Sequence, residues 1–70
     1  MPEAFLIGVD TVALDRSDRR LFLVLDDTPE RAVQAVRRLW PTSKVDWTGI
    51  KALRETVEKL GLRQGEPRQL

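Results

Sequence analysis

The chain has 70 residues, 41% of them hydrophobic, with twelve basic side chains against eleven acidic ones and neither cysteine nor histidine. That inventory excludes disulfide staples, thiolate or imidazole chemistry and zinc sites of the Cys/His kind, and a formal net charge of +1 gives no general attraction to polyanions. A chain this short buries only about 60% of the surface its unfolded form exposes, so without staples it needs well-ordered packing or a partner.

The first segment, "AFLIGVDTVALD", and the second, "RLFLVLD", are rich in Val, Ile, Leu and Phe and are separated by the polar "RSDR". They read as the two antiparallel strands of a hairpin. With Ser17 and Asp18 as a two-residue tip, Val12, Leu14, Leu21, Leu23 and Leu25 share one face, and Val9, Thr11, Ala13, Phe22 and Val24 share the other. The tip lacks the Asn-Gly or Asp-Gly pair that fixes a tight hairpin turn, so the register is only loosely specified. Gly8 marks a bulge or a close approach to the backbone.

Next comes "DDTPERAVQAVRRLW". Thr28 suits a helix cap, Pro29 the first helical position, and Glu30 complements the positive helix end. At about 100° per residue, Ala32, Val33, Val36, Leu39 and Trp40 fall in one apolar arc while Arg31, Gln34 and Arg38 face away. Pro41 ends this helix. "PTSKVDW" then reads as a connection with a short extended piece at Lys44-Val45, and Asp46 or Thr48 as the cap of a second helix closing at Gly61. Ile50, Leu53, Val57 and Leu60 form the stripe of that helix. The last stretch, residues 63–70, carries glycine, proline and charge, and is expected to fray or remain disordered.

This order predicts one small α+β domain over residues 1–62: a small antiparallel hairpin or sheet, β-β-α-(β)-α, with two helices packed on one face. A two-stranded sheet is marginal alone, so a third strand or a partner strand is expected.

Asp26 and Asp27 raise the question of chemistry, because two carboxylates at the end of a strand can bind a hard cation such as Mg²⁺ when others converge on them. No base, lysine or phosphate-binding turn is legible around them, and acidic groups are favoured at a helix start in any case. The residue pattern therefore predicts no catalytic group, no cofactor and no metal, and a protein that is not an enzyme, with a Mg²⁺-dependent carboxylate site as the distant alternative.

The expected function is a small protein-interaction domain, self-associating as a homodimer or docking on a larger protein through the outer face or edge of the sheet. Val9, Phe22 and Val24 are the candidate interface residues on that outer face, and Trp47 is the candidate aromatic anchor. The alternative is a nucleic-acid-binding regulator using Arg16, Arg19 and Arg20 at the hairpin tip, or Arg31, Arg38 and Lys44 beside the first helix. Apolar runs of at most five residues, and an acidic Glu3 where a signal peptide carries positive charge, predict a cytoplasmic protein that does not engage a membrane.

Overall fold

The computed structural model describes residues 2–13 and 16–70, and the side chains of residues 12–17 lie outside that description. The chain forms an α+β domain in which an antiparallel sheet carries two helices. In chain order the elements are β1 (Glu3–Ala13), β2 (Arg16–Asp26), α1 (Pro29–Leu39), β3 (Lys44–Ala52), α2 (Arg54–Leu60) and β4 (Arg68–Gln69). The four strands lie side by side in the order β3-β1-β2-β4.

β1 and β2 pair along their full lengths, from Glu3 opposite Asp26 to Ala13 opposite Arg16. Ser17 and Asp18, expected as the hairpin tip, are therefore strand residues. The expected partner Leu14, with Asp15, falls outside the described residues. The division into faces survives this displacement, because it shifts the pairing without changing its parity. Leu21, Leu23 and Leu25 stand opposite Gly8, Leu6 and Ala4, whereas Phe22 and Val24 stand opposite Ile7 and Phe5.

The side on which the core forms is the opposite of the one expected. Phe5, Ile7, Val9, Phe22, Val24 and Val45 are buried beneath Ala32 and Val36 of α1, with Val33, Ala35, Trp40 and Trp47 packed around them. Val9 and Val24 retain no exposure and Phe22 only 4%, so these three belong to the interior and not to an outer association face. The reason is bulk and branching. This face brings two phenylalanines and three β-branched residues from β1 and β2 under the helix, whereas the leucine face is interrupted by Gly8, which has no side chain to bury.

α1 forms as its sequence indicates. The hydroxyl of Thr28 accepts the Arg31 N–H at 3.3 Å, Pro29 opens the first turn beside Glu30, and Arg37 and Arg38 lie in the last turn, where the carbonyl end favours cations. Beyond Pro41 the chain departs from expectation. Residues 44–52 form a nine-residue strand, so Asp46 and Thr48 cap no helix, and α2 begins only at Arg54. The alternation Lys-Val-Asp-Trp-Thr places Val45 and Trp47 on the core face and Lys44 and Asp46 on the other, which suits a half-buried strand better than a helix. α2 closes as expected at Gly61, in the left-handed conformation, where the Leu62 N–H reaches the Val57 carbonyl at 3.2 Å.

The C-terminal segment is also more ordered than its composition suggests. Gly65 N–H donates to the Leu25 carbonyl at 2.7 Å and Leu70 N–H to the Leu21 carbonyl at 3.0 Å, with β4 paired to Phe22 and Leu23 between them. The tail thus covers the outer edge of β2 from Leu21 to Leu25, while Arg16–Arg20 have no strand on that side among the described residues. Among the described residues no helix is long and apolar enough to cross a membrane.

Placing a charge at the centre of this core tests the assignment of faces. Val24→Lys is expected to abolish cooperative thermal unfolding, because an unpaired buried ammonium costs several kcal/mol against the small margin of a domain this size. A circular-dichroism melt like that of the wild type would mean that Val24 does not face the core.

Candidate interaction surface

Of the four expected interface residues, only Trp47 lies at the surface. It is half-buried on β3, with its ring edge-on to Phe5 at a centroid distance of 5.6 Å and an interplanar angle of 88°. Its indole N–H donates to the Ile50 carbonyl at 3.1 Å. The ring is therefore fixed by the core on one side while another part stays accessible, the usual condition of an aromatic anchor. Beside it, Pro29, Glu30, Val33, Gln34 and Arg37 complete a shallow recess of about 290 Å³.

Trp47 lies on an edge strand. β3 has β1 on one side and, among the described residues, no strand on the other. Its regular portion is short. From Lys44 to Trp47 it pairs residue by residue with Asp10, Val9, Gly8 and Ile7, and then the register shifts between Ile7 and Phe5. In that bulge Gly49 takes φ +88°, and the Thr48 hydroxyl donates to the Leu6 carbonyl at 2.8 Å. A bulge of this kind turns the edge and interrupts regular pairing, which resumes only at Lys51 and Ala52, so the longest regular segment able to accept another strand is Lys44–Trp47. Ile50 within the bulge and Leu53 after β3 are exposed, at 56% and 73%.

The opposite face of the sheet holds a feature that the sequence announced only as a glycine. The guanidinium of Arg19 lies over Gly8, and a methyl group there would come within 2.7 Å of its Cζ. In that position Arg19 pairs with Asp10 at 2.9 Å and approaches Oδ1 of Asp46 at 3.5 Å, linking β2 to β1 and β3. The same Asp46 oxygen accepts no hydrogen bond. Lys44 is the strand partner of Asp10, yet among the described residues it forms no ion pair, since Arg19 engages that carboxylate. At the far end of this face, Ala4 and Leu25 line a groove of about 500 Å³ together with Val57 of α2 and the rim residues Glu3, Lys51, Arg54 and Glu58.

The remaining basic candidates do not gather on one surface. Arg19 leaves one face of the sheet and Arg20 the other, where its guanidinium stacks on Trp40 at 5.3 Å. Arg31 pairs with Asp27 at 3.6 Å, and with Arg38, Gln34 and buried Asp26 it borders a separate polar recess. The side chain of Arg16 lies outside the described residues. The two acidic residues serve the strand-to-helix turn. A carboxylate oxygen of Asp26 accepts the Asp27 N–H at 2.8 Å, while Asp27 receives the Gln64 amide at 3.4 Å as well as Arg31. Among the described residues no three acidic side chains gather in a geometry that holds a metal ion.

Comparison with protein families, with curated proteins and with solved structures found no match to this chain. The geometry of β3 is therefore the basis for any functional reading.

Gly8 and Arg19 give a test of the charged cluster. In Gly8→Ala the new methyl displaces the guanidinium and breaks its contacts with Asp10 and Asp46. The expected loss of stability is only about 1 kcal/mol, because exposed ion pairs contribute little and the displaced group is the far end of a flexible side chain. The Arg19 Nε–H resonance in a ¹⁵N NMR spectrum is expected to move to a solvent-exposed position. An unchanged resonance would show that Arg19 does not lie over Gly8.

Proposed function

We propose that this protein is a small, non-enzymatic interaction domain that associates through the open edge of β3 and the adjoining Trp47. The observation that carries the reading is an asymmetry between the two sheet edges. The chain's own C-terminal segment covers β2 from Leu21 to Leu25 and leaves its basic end, Arg16–Arg20, uncovered, whereas the whole regular segment Lys44–Trp47 of β3 has no strand beside it among the described residues. An unpaired edge presents a row of backbone donors and acceptors, and strand addition satisfies them. Here the edge is flanked by an aromatic ring, by the partly buried Val33 and by an Arg37–Glu30 rim, which supply side-chain contacts to accompany the backbone pairing. Ile50 and Leu53 add exposed apolar surface in and beyond the bulge.

This reading keeps the edge expected from sequence and replaces the outer-face residues Val9, Phe22 and Val24 by Lys44, Val45, Asp46 and Trp47. A nucleic-acid contact through Arg31 and Arg38 is the second reading, supported by their position on one polar recess. It is the weaker of the two because Arg19 and Arg20 leave opposite faces and cannot join that recess on a common surface.

Site-specific photocrosslinking tests the location. A photoreactive amino acid at Arg37 or Lys44 is expected to give protein–protein crosslinks, and one at Lys59 on α2 is expected to give none. Crosslinks confined to Lys59, or attachment only to nucleic acid, would overturn the reading.

A further inference from the structure

Resting on the interaction reading just given, we infer that the strand that docks on β3 is β3 of a second copy, paired antiparallel about a twofold axis at Val45. In such a dimer the axis is normal to the sheet, so each side chain must stand opposite one on the same face. That condition leaves pairings centred on a residue, and the regular edge offers four: Lys44, Val45, Asp46 and Trp47.

Charge and backbone geometry select among them. Centring on Lys44 sets two ammonium groups against each other, and centring on Asp46 sets two carboxylates against each other. Like charges directly opposite are unfavourable. Centring on Trp47 brings Gly49, at φ +88°, against Val45 and carries the pairing into the bulge, where the regular register is interrupted. Centring on Val45 sets Lys44 of each copy opposite Asp46 of the other, twice, with the two valines between them.

The intramolecular contacts leave these two groups available. Arg19 occupies Asp10, the carboxylate nearest Lys44 along the sheet, and Lys44 has no other ion pair among the described residues. Asp46 meets Arg19 only at 3.5 Å, and its side chain remains 48% exposed. The edge is thus self-complementary in charge, as a twofold contact between identical chains requires. The product is a continuous sheet in which both α1 helices lie on one side. So short a pairing predicts a weak, concentration-dependent dimer.

Sedimentation equilibrium up to millimolar concentration tests this arrangement. The wild type is expected to dimerise, and Lys44→Glu and Asp46→Lys each to weaken the dimer by about tenfold or more, since each converts two attractive contacts into two repulsive ones. The combined variant Lys44→Glu/Asp46→Lys is expected to recover most of the association. Thermal melts of each variant at a concentration where all are monomeric check that the fold is retained. A dimer unaffected by either single reversal would overturn the register. A wild type that stays monomeric would overturn self-association, and the crosslinks at Arg37 and Lys44 would then show separately whether the edge binds a different protein.

Discussion

The pairing of β1 with β2 is the constraint on which the rest of the molecule depends. Eleven residues of each strand stand opposite one another in unbroken register, so a single choice of parity commits Phe5, Ile7 and Val9 to the same face as Phe22 and Val24. That face carries the two phenylalanines and the β-branched residues that bury Ala32 and Val36 of α1. Once α1 covers it, β3 can add to β1 because Val45 and Trp47 extend the same apolar surface by one strand. The charged Lys44 and Asp46 are then left on the other face, beside the cluster that Arg19 builds over Gly8. The composition of the edge follows from the packing of the core.

The sheet treats its two edges differently, and this asymmetry links fold to function. At β2 the chain returns to satisfy its own backbone groups, through hydrogen bonds from Gly65 and Leu70. At β3 the structure instead limits exposure with a bulge at Gly49 and with charged residues, the usual ways by which an open edge avoids indiscriminate pairing. What remains is a short, regular, charge-patterned segment beside an aromatic ring. Such an edge is restricted in what it accepts, and restriction of this kind is what a specific partner needs.

Much of this was legible in the sequence where local chemistry decides the outcome. Thr28-Pro29-Glu30 fixed the start of α1, Pro41 its end, and Gly61 the end of α2, because caps and breakers act over a single turn. The two faces of the hairpin were also readable, since alternation survives a shift that preserves parity. The face that receives α1 was not, because the leucines and the Phe/Val set are both apolar enough, and the decision rests on packing across strands. β3 was hidden for a similar reason. Ile50, Leu53, Val57 and Leu60 have helical spacing, yet Ile50 belongs to the strand and Leu53 precedes α2, so the alternation from Lys44 to Thr48 was the truer signal. The glycine and proline of the last residues suggested disorder, but two backbone hydrogen bonds to β2 order them through a contact that no local pattern announces.

On the proposed reading, the backbone of β3 between Lys44 and Trp47 is where this protein meets a partner. Amide hydrogen exchange followed residue by residue as the protein concentration is raised tests it most directly. The outward-pointing amides of this segment are expected to become increasingly protected, while those of α2 and of the segment paired to β2 do not change. Exchange of the Lys44–Trp47 amides that is independent of concentration, with new protection appearing on another surface, would contradict it.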